Sequence, residues 1–124
     1  MTDKFKVVVA GGRTFTDLPR MEEVLLHLFR DKDLRDIVII SGTARGADQT
    51  GEQFAHKYAM ELWKFPADWD TYGKGAGHIR NAEMRDNADA VVVFWNGKSR
   101  GSKSMIDISK KKGLPTRVIM YEEK

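Results

Sequence analysis

Three runs of β-branched and aromatic residues limit what this chain can become. They are Phe5-Lys6-Val7-Val8-Val9-Ala10, Ile37-Val38-Ile39-Ile40 and Ala90-Val91-Val92-Val93-Phe94-Trp95. They scarcely alternate between apolar and polar residues. A strand that reads this way has both faces covered, as in a parallel sheet flanked by helices. Two shorter runs, Glu61-Leu62-Trp63-Lys64-Phe65 and Thr116-Arg117-Val118-Ile119-Met120-Tyr121, complete a set of five strands. The first of these alternates in polarity and is stopped by Pro66, which suits an edge.

Helix-like stretches separate the runs. Asp17 is placed to cap the first, with Pro19 in its opening turn and Met21, Val24, Leu25, Leu28 and Phe29 on one apolar face. A second runs from about Ala47 to Ala59 and a third from about His78 to Asn87. A fourth reaches Lys112, closed by Gly113 with Pro115 beyond. Strand and helix thus alternate five times. The expected fold is α/β: a three-layer, Rossmann-like sandwich with a five-stranded, mostly parallel sheet and helices on both faces. With 124 residues and no linker or repeat, a single domain spanning 1–124 is expected.

Composition narrows the setting. Cysteine is absent, which removes disulfides, thiolate chemistry and cysteine-ligated zinc. No His/Asp/Glu cluster has metal-ligand spacing, so no metal and no cofactor are expected. No apolar run approaches a membrane span, and Met1-Thr2-Asp3-Lys4 leads directly into a strand without a signal peptide. A cytoplasmic protein is the expectation. The net charge of +3 suits a small anion as well as nucleic acid. Lys110-Lys111-Lys112, the one basic run, reads as a solvated helix end.

In a parallel sheet the strand-to-helix loops share the carboxyl edge, where ligands bind. Four such loops are expected: 11–16, 41–47, 66–77 and 96–102. They hold nine of the eleven glycines, so glycine is concentrated where a ligand sits. The stretch Ser41-Gly42-Thr43-Ala44-Arg45-Gly46-Ala47-Asp48 turns a strand into a helix N-terminus, an arrangement suited to phosphate. Ser41, Thr43 and backbone amides supply donors there, and Arg45 can pair bidentately. Asp48 either caps the helix or joins the ligand set. Gly11-Gly12-Arg13 lacks the G-x-G-x-x-G fingerprint and its acidic partner, which disfavours a standard NAD domain, and Gly97-Lys98-Ser99 lacks the first P-loop glycine. Arg80, near the start of a helix where the dipole disfavours it, needs an anionic partner; Asn81 stands beside it. His78 reads as a surface histidine. Residues 67–77 are expected to be irregular, with Trp69 and Tyr72 either stacking on a base or covering the sheet edge.

Together these pieces resemble the YspA-type, cpYpsA-related branch of the SLOG superfamily, from Lys6 to about Val118. The matching residues are Gly11-Gly12-Arg13, Ser41 through Asp48, Ala67-Asp68-Trp69, Ala76-Gly77 with Arg80-Asn81 and Met84, and Gly101-Ser102 with Met105-Ile106. The resemblance implies a Rossmann-like domain that binds a nucleotide or nucleotide-derived ligand. It implies a more distant relation to the Lonely Guy phosphoribohydrolases and to DNA-processing protein A. It also implies a homo-oligomer built through exposed helix faces. In Lonely Guy enzymes a Gly-Gly-x-Gly-Thr-x-x-Glu loop carries a glutamate where Met105 stands here, and a thioether cannot handle a proton. Thr43 occupies a position where this branch commonly has glycine, and His78 one where it commonly has proline.

The expected ligand set is therefore Gly11, Gly12, Arg13, Ser41, Gly42, Thr43, Arg45, Gly46, Asp48, Trp69, Tyr72, Arg80, Asn81, Ser99, Gly101 and Ser102. A binding module that senses or sequesters its ligand is the leading expectation. One alternative is a nucleotide N-glycosidic hydrolase, with Arg80 and Glu83 as catalytic residues or Asp89 or Asp107 in place of Glu83. The other is single-stranded nucleic-acid binding through Trp69, Tyr72 and the lysines.

Overall fold

A computed structural model describes residues 4–123. Met1 to Asp3, expected to lead straight into the first strand, and Lys124 of the tail lie outside the described residues.

Five strands form one sheet: β1 (Phe5–Gly11), β2 (Ile37–Ser41), β3 (Glu61–Lys64), β4 (Ala90–Trp95) and β5 (Thr116–Met120). Their order is β3-β2-β1-β4-β5, and every pairing is parallel. The expectation of a mostly parallel sheet sharpens to a wholly parallel one. The three long apolar runs are the three central strands, and β2 is buried at every position. The edges are more open: Trp63 of β3 and Met120 of β5 are exposed.

Helices α1 (Leu18–Leu28) and α2 (Ala47–Lys57) cover one face, where Met21, Leu25 and Phe54 pack on Val7, Val9, Ile37 and Ile39. Helices α4 (Ala76–Asn87) and α5 (Arg100–Lys112) cover the other, where Met84, Met105 and Ile106 pack on Val8, Ala10, Val38 and Ile40. Odd and even positions of each strand thus feed separate cores, as strand geometry requires.

The termini follow local chemistry. Asp17 accepts a 3.0 Å bond from the Arg20 N–H and caps α1. Gly113, at φ 86°, closes α5, with the Leu114 N–H donating to Ser109 O. At the end of α2 the same left-handed position is filled by Ala59, at φ 54°, where glycine carries no steric cost.

One expectation changes. Residues 67–77 are not irregular. Asp68 accepts from the Thr71 N–H and caps a short helix, α3 (Trp69–Tyr72). A 3-10 turn at Gly73–Gly75 then leads into α4, which begins at Ala76 rather than His78. Gly73 and Gly75 belong to that tight turn, and Gly77 lies in the first turn of α4.

Candidate functional site

The strand order runs outward from β1 to β2 on one side and jumps to β4 on the other, so the β1–β4 boundary is where the topology reverses. The loops after these strands diverge there and leave a crevice. It has two adjoining lobes. The first, of about 390 Å³, lies between Gly11–Thr14, Asp48, Arg80–Asn81, Met84, the start of α5 and Glu123. The second, of about 470 Å³, lies under Gly42–Ala44, Pro66–Ala67, Trp69, Lys74 and Gly77–His78. Arg13, Ala44, Arg80, Asn81, Arg100 and Gly101 border both, so three arginines stand where the lobes meet.

The β2–α2 loop is built mainly to hold its own shape. The fully buried Ser41 hydroxyl donates 2.7 Å to Glu52 Oε2 and accepts from the Thr43 N–H. Gly46 is the N-cap of α2 at φ 83°, and a β-carbon there would overlap Gly12 O, which accepts the Ala47 N–H. Asp48 is the second residue of α2. Its Oδ2 reaches back to accept from the Ala44 N–H at 3.1 Å, so it closes the loop rather than capping a first-turn amide of the helix. Gly42 marks a close approach: a β-carbon on it would lie 2.8 Å from Asp48 Oδ2 and 2.9 Å from Arg80 Nη1. Burial pushes the Asp48 carboxyl up to about 6, opposed by the Ala44 N–H and the Arg80 charge.

Arg80 joins the two sides of the crevice. Its Nη1 donates to Gly42 O at 2.5 Å and its Nε to Asn81 Oδ1 at 3.1 Å. Nη2 makes no hydrogen bond among the described residues, which leaves one arm of the fork facing the crevice.

The β4–α5 loop keeps more of its donors free. Asn96 Oδ1 accepts from the Lys98 and Ser99 N–H groups and shapes the turn. Ser99 caps α5, its hydroxyl accepting from the Ser102 N–H, and the Trp95 indole N–H holds Ser99 O. The first-turn amides before Ser102 have no intrahelical acceptor. Ser102 lines the first lobe and is 4% exposed; its hydroxyl is buried beneath that wall and has no hydrogen-bond partner among the described residues. Met105 lies one turn below it, also on the lobe wall.

Set against the expected residues, the first lobe gathers Gly11, Gly12, Arg13, Asp48, Arg80, Asn81, Ser99, Gly101 and Ser102. The second gathers Gly42, Thr43 and Trp69. Ser41, Arg45, Gly46 and Tyr72 line neither lobe; Ser41 and Gly46 are consumed by the loop itself, while Arg45 and Tyr72 point to solvent. The three carboxylates considered for hydrolysis also stand apart. Glu83 is exposed on α4, Asp89 accepts the Lys6 N–H at the opposite sheet edge, and Asp107 pairs with Lys103 on the outside of α5. Among the described residues the first lobe has two carboxylates, Asp48 and Glu123.

Sequence reasoning missed Thr14, Asn96, Arg100 and Glu123 as wall residues. Asn96-Gly97 carries a turn signal that marks the β4–α5 loop, where Asn96 stands and Arg100 follows. Glu123 has no local signal, because only the parallel pairing of β5 with β4 returns the tail to the crevice. No group of three or more His, Cys, Asp or Glu side chains is positioned to hold a metal ion among the described residues. Among them, too, no helix is long and apolar enough to cross a membrane.

The Gene 61 protein of Mycobacterium phage D29 is 30% identical to this chain over 125 residues, covering 96% of the chain and 98% of the relative. No solved structure gives a significant match. A sequence profile of the YspA, cpYpsA-related SLOG family, a family generally linked to nucleotide-related ligands, matches residues 5–72. That span contains β1, the Gly-Gly-Arg loop, the whole Ser41–Asp48 turn and α3. With the parallel sheet and the crevice at its point of reversal, these matches assign the chain to the YspA, cpYpsA-related SLOG family.

Proposed function

We propose that the crevice binds a nucleotide or nucleotide-derived ligand by its phosphate and serves as a sensor or sequestering site. The observation that carries this reading is that two residues of the crevice wall hold unsatisfied donors. The buried Ser102 hydroxyl, at the start of α5, has no partner, and the Arg80 Nη2 arm has none either among the described residues. A buried hydroxyl without a partner costs about 1–3 kcal/mol, and an anion at a helix N-terminus relieves that cost while meeting the dipole and the arginine. Trp69, 55% exposed on the wall of the second lobe, offers a surface on which a base can stack.

A panel of mono-, di- and cyclic nucleotides and ADP-ribose tests the reading by thermal denaturation. Ligand at a hundred times its dissociation constant adds about 2.7 kcal/mol, a rise of roughly 10 °C for a chain of this size. The rise should shrink sharply in Arg80→Lys, which keeps the charge and loses the fork. If no member of the panel moves the transition, the proposal is wrong.

Hydrolysis of the N-glycosidic bond is the second reading, and Asp48 favours it. Asp48 is a buried carboxyl on the lobe wall, pushed up to about 6 and flanking Gly42 together with Arg80. Such a group can donate a proton near neutral pH. Release of free base from a nucleotide, lost in Asp48→Asn while binding persists, supports this reading; binding without release removes it.

A further inference from the structure

Glu123 is an anion on the wall of a lobe otherwise suited to anions. Its position is fixed by a short chain of polar groups. Oε1 accepts from the Thr14 hydroxyl at 3.1 Å and from the Asn96 side-chain amide. The orientation of Asn96 is set, because its Oδ1 already accepts from the Lys98 and Ser99 N–H groups at 2.8 and 2.9 Å. Thr14 has a single hydroxyl hydrogen. Giving it to Glu123 makes the Tyr121 hydroxyl, 2.8 Å away, the donor to Thr14. Thr14 and Asn96 line the same lobe as Arg80 and Ser102.

Oε2 has no hydrogen-bond partner among the described residues. The bonds from Asn96 and Thr14, aided by the Lys98 charge, hold this carboxyl below its usual range. It is therefore ionised at neutral pH and can only accept. A phosphate cannot sit against it, since two anions repel, and is directed instead to the start of α5 and Arg80. The part of the ligand that meets Glu123 must carry donors. In a nucleotide, the donors nearest the phosphate are the sugar hydroxyls.

We infer that Glu123, held by Thr14 and Asn96, accepts hydrogen bonds from the sugar hydroxyls of the ligand and selects ribose over sugars that lack them. This rests on the nucleotide reading above and assigns a residue to its sugar. The tail beyond β5 thereby becomes part of the site. An exocyclic amine of the base is the competing donor, and it persists in an analogue that lacks the hydroxyls.

The test is calorimetric titration of the wild-type chain and of Glu123→Ala. The probes are the 5′-mono- and diphosphates of the four ribonucleosides and their 2′,3′-dideoxy counterparts. Hydrogen bonds to a charged acceptor contribute enough that the wild type should prefer the ribose form by about tenfold or more. Glu123→Ala should bind ribose and dideoxy forms alike. Glu123→Gln, which keeps one neutral acceptor, should fall between. An unchanged melting temperature of the unliganded variants shows that the ratio reports on the site and not on the fold. Equal wild-type affinity for both forms overturns the inference and leaves the nucleotide reading standing. So does a tightening of both forms by the same factor in Glu123→Ala, which marks the carboxylate as a plain electrostatic barrier. Binding of none of the probes overturns the inference, and the nucleotide reading falls with it when cyclic nucleotides and ADP-ribose fail as well.

Discussion

The two loops that face each other across the crevice solve opposite problems. The β2–α2 loop, Ser41 to Asp48, spends its polar groups on itself: Ser41 on Glu52, Asp48 on Ala44, Gly42 O on Arg80. The β4–α5 loop uses Asn96 and Ser99 to set its shape and leaves Ser102 without a partner. The more conspicuous motif is the scaffold, and the plainer loop carries the open donors. Motif density in a sequence tracks backbone demand, which is high where glycine, a close approach and a buried acid meet. It tracks ligand contact less directly.

The largest expected effect separates the two loops by one methyl group. Gly46 combines a positive φ with a β-carbon position blocked by Gly12 O, whereas a β-carbon at Gly101, in the first turn of α5, meets open space. Gly46→Ala should therefore cost more than about 3 kcal/mol. Gly101→Ala should be neutral or stabilise by up to about 1 kcal/mol. Urea denaturation of the two variants measures both, and equal costs would erase the distinction.

Asp48 gives the next largest effect, with a defined pH dependence. Its folded pKa of about 6 lies above the ordinary value of 3.8, so the fold binds this proton more tightly than the unfolded chain does. The stabilising contribution is complete below pH 3.8 and is lost as pH rises through about 6. Relative to Asp48→Asn, which carries no charge, the wild type should lose about 2 kcal/mol between pH 4 and pH 7. A pH-independent difference between the two proteins would show that the acid is not held protonated by burial. A bound phosphate near Asp48 should raise its pKa further, so ligand binding at pH 7 should take up a proton.

Much of this architecture is legible in the residues, and the reasons for the remainder are physical. The three central strands announce themselves because β-branched runs covered on both faces carry little polar alternation. Asp17 and Gly113 mark helix ends because capping is local chemistry. The start of α4 at Ala76 is hidden, since Gly73-Lys74-Gly75 reads as a loop while Asp68 and the tight turns organise it into helical pieces. Arg80 is legible as an arginine at an unfavourable place on a helix. Its bond to Gly42 O, and the role of Ser41 as a brace for Glu52, depend on contacts between distant segments. Glu123 is the extreme case, a tail residue whose position follows only from β5 pairing with β4.

On the open side, Ser102→Ala removes a buried hydroxyl that has no partner in the unliganded protein. Stability should hold or improve by about 1 kcal/mol, while affinity for a phosphate-bearing ligand should fall by about tenfold. Ser41→Ala should show the reverse pattern: a loss of stability of about 1–3 kcal/mol, because the Glu52 carboxylate and the Thr43 N–H lose their partner, with a smaller change in affinity. Paired melting and titration experiments decide this, and matching profiles for the two serines would contradict the contrast between the loops.

The smallest effect lies inside the scaffold loop. Thr43 sits at φ 68°, in the left-handed region that a β-branched residue enters only at a cost of about 1–2 kcal/mol. Its backbone N–H donates to Ser41 Oγ at 3.0 Å, and that bond holds the turn in this conformation. Glycine takes the same dihedrals without the clash, but it also frees the unfolded chain, and the two contributions oppose each other. Thr43→Gly should therefore stabilise the protein modestly, by about 0.5–1 kcal/mol. Thr43→Ala keeps a β-carbon and should gain less. The Thr43 side chain borders the second lobe near Trp69. If its hydroxyl contacts the ligand, Thr43→Gly will gain stability and lose affinity together, and the strain at this position is retained for binding. If affinity is unchanged, the threonine is only a tolerated departure from glycine, and the β2–α2 loop is scaffold at this position too.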